Sequence, residues 1–201
     1  MLKKKTITRL LMISALSMSL TAPAVAADTY KLDSMHTAVT WHINHFGFSN
    51  PSGKFMNVDG TLTLDEKNPA ASSVNVTIPI ATIDSGIPKL DEHLKTKDFF
   101  DVATFPTATF VSDKVEITGK DTAIVHGTLT LHGVSKPVAL TVKLNQMGPN
   151  MMKKPTAGFS ATATIKRSDF GMTAYLPALG DEINLDIESE ANMEPRAGNP
   201  S

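Results

Sequence analysis

Residues 72–83 read SSVNVTIPIATI: Val74, Val76, Ile78 and Ile80 fall at every second position, with Ser73, Asn75 and Thr77 between them. That is the period of a β-strand with one face in an apolar interior and the other in water. The same alternation recurs on both sides. Upstream it carries Val39, Trp41 and Ile43. Downstream it carries Val125, Leu129 and Leu131, then Phe159, Ala161, Ala163 and Ile165, then Ile183, Leu185 and Ile187. Short clusters of Gly, Pro, Asn and Asp separate the segments, as turns do. The pattern predicts eight strands, roughly 36–45, 53–65, 72–83, 105–117, 122–132, 135–147, 156–168 and 182–191. Several would be about 30 Å long at ~3.3 Å per residue.

One segment departs from period two. Residues 85–100, SGIPKLDEHLKTKDFF, offer Ser85 as a cap, Pro88 for a first turn, Asp91 and Glu92 near the N-terminus, and Lys95 and Lys97 near the other end. Leu90 and Leu94, four apart, supply one apolar stripe. This predicts one short helix between the third and fourth strands. No internal repeat or linker divides the chain, so one all-β domain is expected over 27–192, with a flexible tail at 193–201.

Periodicity leaves two interiors open: a filled β-sandwich core, or a closed barrel whose apolar lumen holds a ligand. The strand ends bear on the choice. Continued in the same parity, the first stripe reaches His45, the third reaches Thr82 and Asp84, and the seventh reaches Arg167. In an up-and-down arrangement these three strands point the same way. His45, Asp84 and Arg167 would then ring one mouth, with the helix beside it as a lid, a layout suited to a long-tailed ligand with a polar head. On this reading Arg167→Ala weakens binding of an anionic head and spares the fold.

Metal and catalytic chemistry are weakly signalled. His42 and His45 point to opposite faces of a strand, while His36 and His42, like His126 and His132, are six apart, about 20 Å at strand rise. No metal site is expected from these spacings. There is no G-x-S-x-G, H-E-x-x-H or P-loop motif and no cysteine, so neither catalysis nor a required cofactor is expected.

The first residues locate the protein. Lys3, Lys4, Lys5 and Arg9 precede an apolar run from Leu10 to Leu20, and Ala24–Ala26 read A-V-A. This is the order of a secretory leader, cut after Ala26 or Ala27; the run is too short to span a bilayer. Four of the 19 basic residues and none of the 20 acidic ones lie in the leader, leaving 15 against 20. An acidic domain has no general electrostatic reason to bind nucleic acid. The expected location is the periplasm, where disulfides are permitted though none is used.

Several segments together resemble the YceI family of lipocalin-like polyisoprenoid-binding proteins. They are HTAVTWHINHFGF at 36–48 with SGKF after it, DEHLKTKDFFD at 91–101 with FPTATF, GTLTLHGVSKPV at 127–138, and RSDFGM at 167–172 before DEINLDI. The resemblance spans almost all of the mature domain. It implies an extended eight-stranded antiparallel lipocalin-like barrel with one short helix, whose elongated apolar pore takes a long-chain isoprenoid. It does not say which lipid: a polyprenyl phosphate and a quinone-like molecule both suit. Head selection would fall to His45, Asp84 and Arg167, and tail contacts to Trp41, Ile43, Val76, Ile78, Leu129, Phe159, Ile165 and Leu185, with Trp41 narrowing or capping the pore. The expected function is sequestration or carriage of that lipid through the periplasm. The alternative is an enzyme or redox partner acting on an isoprenoid quinone or its precursor. Partners to test are the lipid, a transient contact with a membrane or membrane redox protein, and a second copy of the chain in a homodimer.

Overall fold

The alternating segments form strands in ten pieces: β1 (Asp28–Leu32), β2 (Ala38–His45), β3 (Ser52–Phe55), β4 (Asp59–Leu64), β5 (Ser73–Pro79), β6 (Thr107–Ile117), β7 (Thr122–Leu131), β8 (Val134–Pro149), β9 (Pro155–Lys166) and β10 (Leu179–Met193). The computed structural model describes residues 27–195; the leader expected at 1–26 and positions 196–201 of the expected tail lie outside the described residues. One helix, α1 (Pro88–Leu94), follows β5.

Ten pieces make eight staves. Going round the wall the order is β1, β4, β5, β6, β7, β8, β9, β10, and β1 pairs back onto β10 to close an antiparallel barrel. β1 and β2 lie end to end along β10, with Tyr30 opposite Met193 at one end and Ile43 opposite Ile183 at the other. β4 and β3 follow them in the same way. Closure leaves no long open edge. β8 and β10, with 16 and 15 residues, make the barrel tall.

Local chemistry explains both broken staves. Between β1 and β2, Asp33 accepts the Met35 N–H on its side chain and the His36 N–H on its carbonyl, each at 3.0 Å, which turns the chain. Between β3 and β4, the Met56 N–H leaves the ladder to donate to Thr82 Oγ1 at 3.1 Å, and Asn57 takes a left-handed φ of 55°. The predicted third strand also ends early. After Pro79 the chain enters a 3-10 turn over Ile80–Thr82, as expected of a residue that cannot donate to a ladder. At the far end β10 runs through Met193, and Glu194 N–H still bonds the Thr29 carbonyl at 2.7 Å, so the ordered wall extends past the boundary expected at 192.

Helix α1 is not capped by Ser85. Ile87 holds the cap position without a side-chain bond, and Asp91 instead reaches back to accept from Ser85 N–H at 2.8 Å and Ser85 Oγ at 2.6 Å. Leu94 and Phe99 bury themselves at this end of the barrel.

Gly53 sits opposite Trp41 across β2 and β3. A Cβ there would fall on the Trp41 indole and lie 2.9 Å from the Asp84 carbonyl oxygen. Gly53→Ala is therefore expected to destabilise by about 1–3 kcal/mol through overpacking. Urea unfolding should show a lower midpoint at an unchanged m-value.

Candidate functional site

The inward parity that builds the wall also lines a lumen in two chambers. The end where β2, β5 and β9 finish is taken as the upper end. A lower chamber of about 430 Å³ is lined by Val76, Phe110, Val125, Leu140, Val142 and Phe159 among others. An upper chamber of about 580 Å³ is lined by Trp41, Ile43, Ile80, Leu131, Ile165 and Ile183 on the wall. Val39, Ile78, Leu129 and Leu185 line both, so the chambers meet at one apolar layer. The upper chamber is roofed by Leu90, His93, Leu94, Phe99 and Phe100 from α1 and the segment after it, and by Met172 and Tyr175 from the loop after β9.

The sequence-derived candidates distribute as follows. Val76 and Phe159 face the lower chamber; Ile78, Leu129 and Leu185 the shared layer; Trp41, Ile43, His45, Ile165 and Arg167 the upper one. Trp41 is buried, and its indole N–H has no hydrogen-bond partner. His45 lies at the mouth, its ring edge-on to Phe46 with centroids 4.6 Å apart.

Asp84 lines neither chamber. The 3-10 turn at 80–82 breaks the parity that would have aimed it inward, and the exposed carboxylate accepts the Gly86 N–H at 2.8 Å, shaping the approach to α1. Thr82 is likewise spent on Met56 and Pro79.

Arg167 faces the upper chamber, but it does more than line it. The side chain is buried and donates from Nε to the Gly180 carbonyl at 2.8 Å, from Nη1 to Met172 at 2.9 Å and from Nη2 to Leu179 at 3.0 Å. These acceptors belong to the loop 171–178 and the start of β10, so the guanidinium ties that loop to the barrel. The expectation that Arg167→Ala spares the fold is therefore corrected: the variant would leave three carbonyls without their donors. Burial lowers the guanidinium pKa from its ordinary value, partly offset by the charge of Asp181. Among the described residues no carboxylate forms an ion pair with it. Of its five N–H donors, three are engaged.

Asp181 supports the same corner, accepting from Ser168 N–H at 2.9 Å and from Ser168 Oγ at 2.7 Å. Burial pushes its carboxyl pKa up, but the Ser168 bonds and the charges of Arg167 and Lys166 outweigh this, and the net shift is downward. The folded state thus prefers the ionised form. Its contribution is full above the unfolded carboxylate value of about 3.9 and is lost as pH falls through the lower folded value. Asp181→Asn is expected to cost about 1 kcal/mol at neutral pH, a gap that should narrow in urea titrations as the pH falls below the unfolded carboxylate value of about 3.9.

Sequence reasoning missed Val138, Leu140, Val142 and Leu144, which alternate along β8 and would have been found by extending the parity count to that strand. His93 of α1, which its spacing does not single out, turns towards the chamber and packs edge-on against Phe99 with centroids 5.1 Å apart. Among the described residues, Asp33, His36 and Glu190 form a group able to hold a metal ion, with ligand atoms within 4.8 Å of one another, at the β1–β2 break and outside both chambers. It joins residues distant in sequence, which spacing between histidines cannot detect.

A closed eight-stave antiparallel barrel with a helix across one end and an apolar axial lumen defines a lipocalin-like barrel. The chain belongs to the YceI-like domain family, whose model matches residues 30–191. It is 44% identical over 172 residues to a UPF0312 protein of Enterobacter sp. (strain 638), covering 85% of this chain and 88% of that one. It is 43% identical over 172 residues to Protein YceI of Salmonella arizonae, covering 85% and 89%. Solved structures agree in fold. Burkholderia cenocepacia BcnA superposes with a TM-score of 0.72 at 26% identity, covering 79% of this chain and 98% of that one. The Campylobacter jejuni YceI protein superposes at 0.68 and 33% identity, covering 76% and 90%. A polyisoprenoid binding domain from Saccharophagus degradans shares the fold at 0.63 and 16% identity, covering 82% and 98%.

Proposed function

We propose that this protein is a binding module that holds a long-chain isoprenoid or similar amphiphilic lipid along the barrel axis and sequesters or carries it through the periplasm. The observation that carries the reading is the shared layer of Val39, Ile78, Leu129 and Leu185, at which two apolar chambers meet end to end; a long tail would pass this layer and occupy both. Each buried methylene contributes about 0.8 kcal/mol, so a lumen of this kind rewards chain length and reads little else. The polyisoprenoid binding named for the Saccharophagus degradans domain supports the choice of ligand class.

The polar end of the ligand would lie in the upper chamber, near His45 and the free donors of Arg167. A phosphate or a quinone carbonyl would be matched there by a buried cation without an ion-pair partner. Asp84 has no part in this site. The tail would run past Trp41, Ile43, Ile165 and Leu185 into the lower chamber at Val76 and Phe159. The periplasmic assignment rests on the leader at 1–26.

Chain length supplies the test. In competition against a bound fluorescent probe, affinity should rise from geraniol through farnesol to geranylgeraniol by about tenfold or more per isoprene unit, then level off once both chambers are filled. Affinity that ignores chain length would refute an axial tail.

A further inference from the structure

We propose that the barrel docks on a lipid bilayer by the rim of its upper mouth, through Phe46, Phe48, Ile87 and Tyr175. This rests on the lipid-binding reading above and names the surface from which that site exchanges its ligand. Phe46 is 43% exposed, Phe48 91%, Ile87 57% and Tyr175 55%. They come from three separate segments: the β2–β3 turn, the approach to α1, and the loop after β9. Among the described residues, the large exposed aromatic side chains all lie on this rim. Phe46, Ile87 and Tyr175 also line the upper chamber, so the apolar patch and the opening of the lumen are one feature.

The backbone presents two of these rings at a cost. Phe46 and Tyr175 have φ of 54° and 60°, in the left-handed region that disfavours bulky side chains. Phe46 precedes Gly47 at φ 77° in a tight turn closed by the His45–Ser49 bridge, where Asn or Gly would be relaxed. Backbone strain combined with exposed aromatic surface marks a functional rim. Aromatic rings are also the side chains that settle at the headgroup level of a bilayer.

The size of the patch separates a bilayer from a second copy of the chain. With roughly 200 Å² for a large apolar side chain, the four exposed fractions leave about 500 Å². A standard protein interface buries about 800 Å² per partner. The lower end has no exposed aromatic ring among the described residues. Ile117 and Met147 are part-exposed where they line the lower chamber, and Met151 and Met152, exposed at the β8–β9 turn beside Lys153 and Lys154, do not line it.

The test is flotation of the mature protein with phosphatidylcholine vesicles, with and without phosphatidylglycerol. Wild type should float with both. Phe48→Ser, at a residue outside the lumen, should lower partitioning about tenfold, and Phe48→Ser with Tyr175→Ser should abolish it, while Met151→Ser with Met152→Ser partitions like wild type. Absence of wild-type flotation, a Phe48→Ser variant that floats normally, or loss in the methionine variant would overturn the proposal. So would a wild-type dimer in sedimentation that Phe48→Ser dissociates. Farnesol uptake, measured alongside, keeps the two readings apart. Uptake without flotation removes the docking rim and leaves the lumen reading standing, whereas flotation without uptake does the reverse.

Discussion

Arg167→Ala is expected to lower the stability of the barrel by about 3–5 kcal/mol, because hydrogen bonds to a charged donor are worth about 1.5–3 kcal/mol each and three are lost, partly offset by the guanidinium no longer being buried. The carbonyls of Met172, Leu179 and Gly180 would be left to find water, and Met172 and Leu179 are themselves buried. The loop 171–178, which brings Met172 and Tyr175 over the upper chamber, should loosen before the barrel opens. Urea unfolding measures the global loss, and hydrogen exchange at residues 171–180 measures the local one. Arg167→Lys should recover only part of the stability, since an ammonium keeps the charge but cannot reach three carbonyls with one planar fork. A lysine variant as stable as wild type would show that charge, and not the fork, holds the corner.

The second large effect concerns the lumen itself. Ala161 faces the lower chamber between Val142 and Ile187 on the neighbouring staves. Ala161→Trp should fill much of that chamber with an indole. A ligand tail excluded from about four methylenes' worth of burial loses about 3 kcal/mol at ~0.8 kcal/mol each, or about a hundredfold in affinity. Geranylgeraniol should suffer this loss, while geraniol, short enough for the upper chamber, should bind within about twofold of wild type. Equal losses for both would mean that the chambers do not form one path, or that the substitution disturbs the wall.

How much of this was legible in the sequence depends on whether the signal was local. Stripes such as Val74–Ile80 and Ile183–Ile187 foretold the wall because strand parity is a local property, and they also placed Trp41, Ile43, Leu129 and Ile165 on the inward face. β1 escaped notice because DTYKL offers only Tyr30 and Leu32 as apolar positions, too few to establish a period. Asp84 was misplaced because a parity count does not register the turn that Pro79 begins. Arg167 was aimed correctly yet given the wrong structural consequence, since its acceptors lie in a loop whose path is set by the fold as a whole. The roof is the least legible part. His93, Phe99 and Tyr175 converge from segments about 80 residues apart, and nothing in the spacing of either segment points to the other.

What the lumen contains in the cell is the most direct readout of its role. Mass spectrometry of organic extracts from the protein purified out of its own cells, without detergent, should find a prenyl lipid at about one molecule per chain in the wild type and far less in Ala161→Trp. A mixture of intact and chemically modified lipid would favour an enzyme or redox partner over a carrier. Extracts holding no long-chain lipid, from protein that is folded, would contradict a barrel that holds an isoprenoid.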